Sequence, residues 1–150
     1  MFKILFALHL LTAIFAIGPL VHAATTASRG LRTADAGATA SAARTVTLYS
    51  YVSVVVVVFG FGVMSSKAPW NPDENVASFS DPYIWISVLL WFVAVGLALV
   101  VIAPALEAAT AKITAGEAVD AAIGKVAASG GIVGLIFAGI VFLMVYKPGS

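Results

Sequence analysis

Four stretches of almost unbroken apolar residues, divided by short polar segments, set the pattern of the chain. They run from about Ile4 to Ala27, Val46 to Met64, Tyr83 to Ala103 and Val126 to Tyr146. A helix rising about 1.5 Å per residue crosses a hydrocarbon core of about 30 Å with roughly 20 apolar residues, so each stretch predicts a transmembrane helix. The run Val54 to Val58 would favour a strand in water. In lipid the backbone must satisfy its own hydrogen bonds, and a barrel needs short alternating segments, so helix is the reading here too. The expected fold is all-α, an integral membrane four-helix bundle forming one domain over residues 1–150.

Composition sharpens this picture. The chain is 61% hydrophobic and 10% charged, where an ordinary soluble domain is about half apolar and about a quarter charged. A net charge of +1 lacks the clustered Lys and Arg excess that nucleic-acid binding needs. The absence of cysteine removes disulfides, thiolate nucleophiles, iron–sulfur ligation and cysteine zinc sites together.

The placement of charge orients the bundle. Lys3, the apolar core after it, Pro19 and the triplet Val21-His22-Ala23 also fit a secretory signal with its cleavage site. Against that reading, the segments Ser28 to Thr45 and Pro104 to Lys125 carry Arg29, Arg32, Arg44, Lys112 and Lys125, whereas the other side offers Lys3, Lys67 and Lys147. The positive-inside rule then places the arginines in the cytoplasm, with an uncleaved first helix and both termini on the outer side of the plasma membrane. On that outer side the segment Ser65 to Asp81 holds Asp73, Glu74 and Asp81, with Trp70, Tyr83 and Trp85 read as an interfacial belt. Pro69, Pro72 and Pro82 make this segment a structured turn and the expected external docking surface. The alanine-rich inner segments, with Glu107, Lys112, Glu117, Asp120 and Lys125, prolong the helices into solvent.

Two hairpins look duplicated. Ile17 to Thr25 aligns with Ile102 to Thr110, bringing Pro19 onto Pro104 and the two Ala-Ala-Thr steps into register. Met64-Ser65-Ser66-Lys67 likewise resembles Met144-Val145-Tyr146-Lys147. These matches suggest a parallel repeat with pseudo-two-fold symmetry about the membrane normal. Pro19 and Pro104 remove helical hydrogen bonds and predict kinks. In the fourth span Gly130, Gly134 and Ala138 fall on one face at steps of four, the spacing that lets helix backbones approach closely in lipid; Gly60 and Gly62 do so more weakly in the second. Phe59, Phe61, Trp91 and Phe92 are expected to face lipid or a larger partner.

The intramembrane polar candidates are His9, His22 and Glu107. An ionisable group at membrane depth is a functional hypothesis by default, and His9 could ligate a haem or metal, relay protons, or hydrogen-bond a neighbouring helix. The thirteen-residue step from His9 to His22 separates them by about 20 Å along a helix, which excludes one haem between the two. The favoured role for His9 is an interhelical hydrogen bond, with Thr12, Tyr49, Ser53 and Ser87 as candidate partners. A contact of His22 with Glu107 across the pseudo-symmetry axis is the second expectation. No Ser/His/Asp set, catalytic carboxylate pair, phosphate loop or metal-spaced cluster is present in the sequence, so an enzyme is not expected.

The first helix, with Leu8-His9-Leu10-Leu11 followed by Gly18-Pro19, and the four-span layout resemble a family of small bacterial integral membrane proteins. Within it the chain is similar to the four-helix accessory subunits of the actinobacterial cytochrome bcc–cytochrome c oxidase respiratory supercomplex. The resemblance implies a non-catalytic subunit with no cofactor of its own, haem and copper residing in partner subunits. Its partners would be other transmembrane subunits and phospholipid, with cardiolipin a candidate. Two other readings stay open: an independent transporter or channel, which would need a polar path linking His9, Tyr49, Ser53 and Ser87, and a quinone- or haem-binding redox protein.

Overall fold

Each apolar stretch satisfies its backbone within a single rod, as lipid demands. The computed structural model describes residues 1–149 and contains α1 (Phe2–Arg32), α2 (Ala36–Met64), α3 (Pro82–Thr114) and α4 (Asp120–Tyr146), all long and apolar enough to cross a membrane. The chain is therefore an all-α, multi-pass membrane protein. The rods outrun the apolar stretches at the arginine-bearing end, where alanine-rich sequence continues the helices.

Both turns at that end use the same device. Asp35 N–H donates to the Gly30 carbonyl at 2.9 Å, and Glu117 N–H donates to the Lys112 carbonyl at 2.9 Å. Each bond closes a helix end over a residue with positive φ, Ala34 at 49° and Gly116 at 76°, the Schellman arrangement that satisfies terminal carbonyls. Asp35 then starts α2, its carboxylate accepting from Ala38 N–H at 2.9 Å, the usual work of an N-cap aspartate. The α1–α2 turn is tight: a Cβ on Gly30 would stand 2.9 Å from Oγ1 of Thr39, a side chain that is fully buried.

The duplicated pattern extends to the middle of the membrane. α1 widens into a π-helical turn at Ala13–Ile17 and α3 does so at Ala98–Ile102, in each case one residue before the Gly18-Pro19 or Ala103-Pro104 step. Proline has no N–H and its ring crowds the carbonyl four residues back. A π turn relieves this by admitting a longer bond, as when Ala103 N–H reaches the Ala98 carbonyl five residues behind it. The expected loss of helical bonding at Pro19 and Pro104 is thus absorbed without breaking either rod.

These turns divide the packing. Before its π turn α1 lies on α2, and α3 lies on α4; beyond the turns α1 also packs on α4, and α3 packs on α2. Each hairpin therefore lends one half-helix to the other, as pseudo-two-fold symmetry requires. The core is concentrated in the arginine half, where Leu20, Leu31, Val46, Ile102, Leu106, Val126 and Val133 are almost wholly buried. The proposed likeness of the second and fourth span ends is looser than expected. Met64 is the last residue of α2 and Lys67 opens a strand, whereas α4 runs on through Met144 to Tyr146 and Lys147 is its left-handed cap.

The segment 65–81 is ordered, as its prolines suggested. β1 (Lys67–Ala68) pairs antiparallel with β2 (Asn71–Asn75), Val76 N–H donates to the Ser66 carbonyl at 2.9 Å, and Ala68 is buried. The Asp81 carboxylate holds the return by accepting from Ser78 N–H at 2.7 Å. Of the three aromatics expected at the interface, Trp70 and Trp85 are exposed. Tyr83 is not: it is buried against Met64 and Ile84 in a small second core, because the α3 turn that carries it faces α2 and α4.

Candidate functional site

His9 makes an interhelical hydrogen bond, but with a partner that residue types do not reveal. Its Nδ1 lies 2.9 Å from the backbone carbonyl oxygen of Val56 in α2. A carbonyl can only accept, so Nδ1 is the donor in this bond. The approach depends on Gly60, one turn after Val56. A Cβ there would lie 3.1 Å from Cε1 and 3.4 Å from Nδ1 of His9. Missing its side chain, Gly60 leaves the Val56 carbonyl open on the α1 side. Gly62 similarly accepts Leu5, whose Cδ2 would be 3.4 Å from an added Cβ. None of the anticipated partners bonds the ring. Thr12 turns back to the Leu8 carbonyl at 2.7 Å, Ser53 receives Trp91, and Ser87 has no partner.

The small-residue face of α4 is occupied from within the chain. A methyl on Gly130 would fall on the backbone carbonyl of Ala24, and one on Gly134 would lie 3.2 Å from Cγ2 of Thr25. Ala138 departs from the expectation, since it is exposed and receives no helix. The reason is the π turn of α1: past it, toward the 65–81 end, α1 leaves α4 and follows α2. Between the parted helices lies a cavity of about 990 Å³, half open and lined from all four rods, with Phe6 and His9 from α1, Gly60 from α2, Ser87 from α3 and Ala138 from α4 among its walls.

Next to this cavity runs a buried polar relay. The Trp91 indole N–H donates to the Ser53 hydroxyl at 3.0 Å, and that hydroxyl donates to the Ser50 carbonyl at 2.6 Å. The sequence turns Trp91, with Phe59, Phe61 and Phe92, toward lipid or a larger partner. Phe92 is exposed, but Phe59 and Phe61 are half-buried, and Trp91, also half-buried, serves as a tie between α3 and α2. Ser53→Ala should strand the indole donor and cost about 1–3 kcal/mol, read as a lower thermal midpoint in detergent. Ser50→Ala, whose own hydroxyl has no partner, should leave the midpoint within error; equal losses would show that the relay does not hold the helices.

The remaining candidates stay apart. His22 is exposed, its backbone carbonyl accepting the Thr26 hydroxyl at 2.7 Å. Glu107 lies instead in a shallow depression with Ala40, Ala43, Arg44 and Thr110, and no hydrogen bond or ion pair joins it to His22 among the described residues. The half-helix exchange explains this: α3 carries Glu107 onto α2, where Arg44 is the facing charge. Among the described residues no three His, Cys, Asp or Glu side chains gather as a metal site would need. Set against protein-family models, curated proteins and solved structures, the chain matches none.

Proposed function

We propose that this chain is a non-catalytic accessory subunit of a respiratory cytochrome c oxidase supercomplex, seated in the plasma membrane with both termini outside. The observation that supports it best is the fate of the deep imidazole: His9 spends its proton on a carbonyl of the next helix, a docking role. Large apolar side chains such as Phe15, Leu135 and Val145, each at least 70% exposed, offer faces for other transmembrane subunits and for phospholipid, cardiolipin included. Haem and copper would belong to the partners. Solubilising native membranes in mild detergent and purifying a tagged copy tests this: oxidase chains and their haem absorbance are expected to co-migrate, and a bundle travelling alone overturns the assignment. Because the chain has no cysteine, single cysteines report its orientation cleanly. Asn75→Cys should react with a membrane-impermeant maleimide on intact cells and Ala34→Cys should not; the reverse pattern inverts the topology.

A further inference from the structure

At the arginine end two opposite charges share one depression on the α2–α3 seam and do not pair. Arg44 of α2 and Glu107 of α3 line it together with Ala40, Ala43 and Thr110, and the small alanines leave the space between them. Among the described residues no hydrogen bond or ion pair reaches either charged group, and no other charged side chain lines the depression. Both are exposed. An exposed ion pair is worth little to a fold, so bundle stability does not explain why both charges stand here. Thr110 has already spent its proton, its Oγ1 donating to the Leu106 carbonyl at 2.8 Å, which leaves its lone pairs free to accept. The depression thus presents guanidinium donors together with carboxylate and hydroxyl acceptors.

Depth and surroundings narrow the ligand. Arg44 stands two residues before the apolar stretch that opens at Val46, and Glu107 four residues after the one that closes at Ala103. At 1.5 Å per residue both backbones lie within about 6 Å of the hydrocarbon edge, the level of lipid headgroups. Toward the middle of the membrane the same face of α2 carries Leu48, Tyr51 and Val55, at helical steps from Arg44, all of them exposed. Pro104, one turn from Glu107 in the same direction, is exposed too. Charges above an apolar strip match an amphiphile. A volume of about 210 Å³, several times the ~30 Å³ share of one water in the liquid, admits a small headgroup and leaves acyl chains to the strip. Guanidinium is suited to phosphate oxygens. A headgroup with negative charge alone would set its phosphate against Glu107, and a quaternary ammonium would give the carboxylate no N–H. A primary ammonium beside a phosphate satisfies both sides.

We propose that this depression binds the headgroup of a zwitterionic aminophospholipid, phosphatidylethanolamine, from the leaflet at the arginine end. The phosphate takes Arg44, the ammonium donates to Glu107 and to Oγ1 of Thr110, and the chains lie along Leu48 and Tyr51. The site rests on the chain spanning a membrane and not on the assembly it serves, so it and the oxidase assignment fail separately.

Native mass spectrometry of the full chain tests it, with the protein released from mild-detergent micelles holding equal amounts of phosphatidylethanolamine, phosphatidylcholine, phosphatidylglycerol and cardiolipin. One phosphatidylethanolamine per chain is expected, retained about fivefold over each rival, the scale of a well-placed surface charge contact. Glu107→Gln should erase the preference over phosphatidylcholine, and Arg44→Gln should lower retention of phosphatidylethanolamine itself. Lipid-free thermal midpoints of both variants should match the wild type, separating lost binding from lost folding, and added phosphatidylethanolamine should raise the wild-type midpoint most. Equal retention of all four lipids by the wild type and both variants overturns the proposal and leaves an exchanging lipid annulus. Preferential retention of phosphatidylglycerol or cardiolipin by the wild type overturns the headgroup. Lipid-free midpoints that fall in both variants, with no rise of the wild type on adding phosphatidylethanolamine, show that Arg44 and Glu107 pair with one another and overturn it too.

Discussion

Gly130→Ala should destabilise the bundle by about 1–3 kcal/mol or more, the cost of forcing extra volume into a packed site, while Gly131→Ala, one residue along the same helix, should not. The new methyl at 130 collides with the Ala24 carbonyl, which is main chain and can yield only if the arginine-end half of α1 shifts as a body. At 131 a Cβ meets nothing within 4 Å. There the substitution gains helix propensity, worth up to about 1 kcal/mol in a water-soluble helix. Gly134→Ala should fall between them, because its neighbour is the Thr25 methyl at 3.2 Å, pinned by the Thr25 hydroxyl bond to the Val21 carbonyl. Thermal midpoints of the three variants in one detergent give the order directly. Equal midpoints for positions 130 and 131 would mean that α1 does not approach α4 as closely as described.

The second large effect concerns the hydrogen bond from the His9 imidazole of α1 to the Val56 carbonyl of α2. His9→Leu should lower stability by about 0.6–2 kcal/mol, the range for interhelical hydrogen bonds in membranes. Gly60→Ala should cost a similar amount by pressing on Cε1 and Nδ1 of the ring, where the added Cβ would stand 3.1 and 3.4 Å away. The two losses share one cause, so the double variant should be less destabilised than their sum by about 0.5 kcal/mol or more. Strict additivity would separate Gly60 from the His9 bond. A change in haem absorbance or proton flux in His9→Leu would reassign the imidazole from docking to chemistry.

Particular residues show how far the sequence reached. The role of His9 was legible because an imidazole in lipid needs a partner, yet the partner was not, since a backbone carbonyl looks the same at every position. The available signal was Gly60, which stood out as a small residue but not as a window on the carbonyl four residues earlier. Trp91 and Tyr83 were misplaced for a related reason. Nearly every position of α3 is apolar, so no periodicity marks which aromatics turn inward, and only the Ser53 hydroxyl and the Met64 contact distinguish them. Gly130 and Gly134 were recognisable as a docking face by spacing alone. That Ala138 would be left out of it depended on the path of α1.

What the chain's order of residues determined unaided is the set of four membrane-spanning helices, the prolonged alanine-rich ends and the repeated proline steps. These follow from local physics: apolar length against the thickness of a bilayer, backbone self-satisfaction in lipid, and the missing N–H of proline. Which half-helix crosses to the other hairpin, that Glu107 shares a depression with Arg44 and does not meet His22, and that a large cavity opens between the parted helices were settled only by the assembled bundle. In a uniformly apolar sequence every helix face is equally greasy, so neighbours are chosen by shape, and shape exists only once the helices have met.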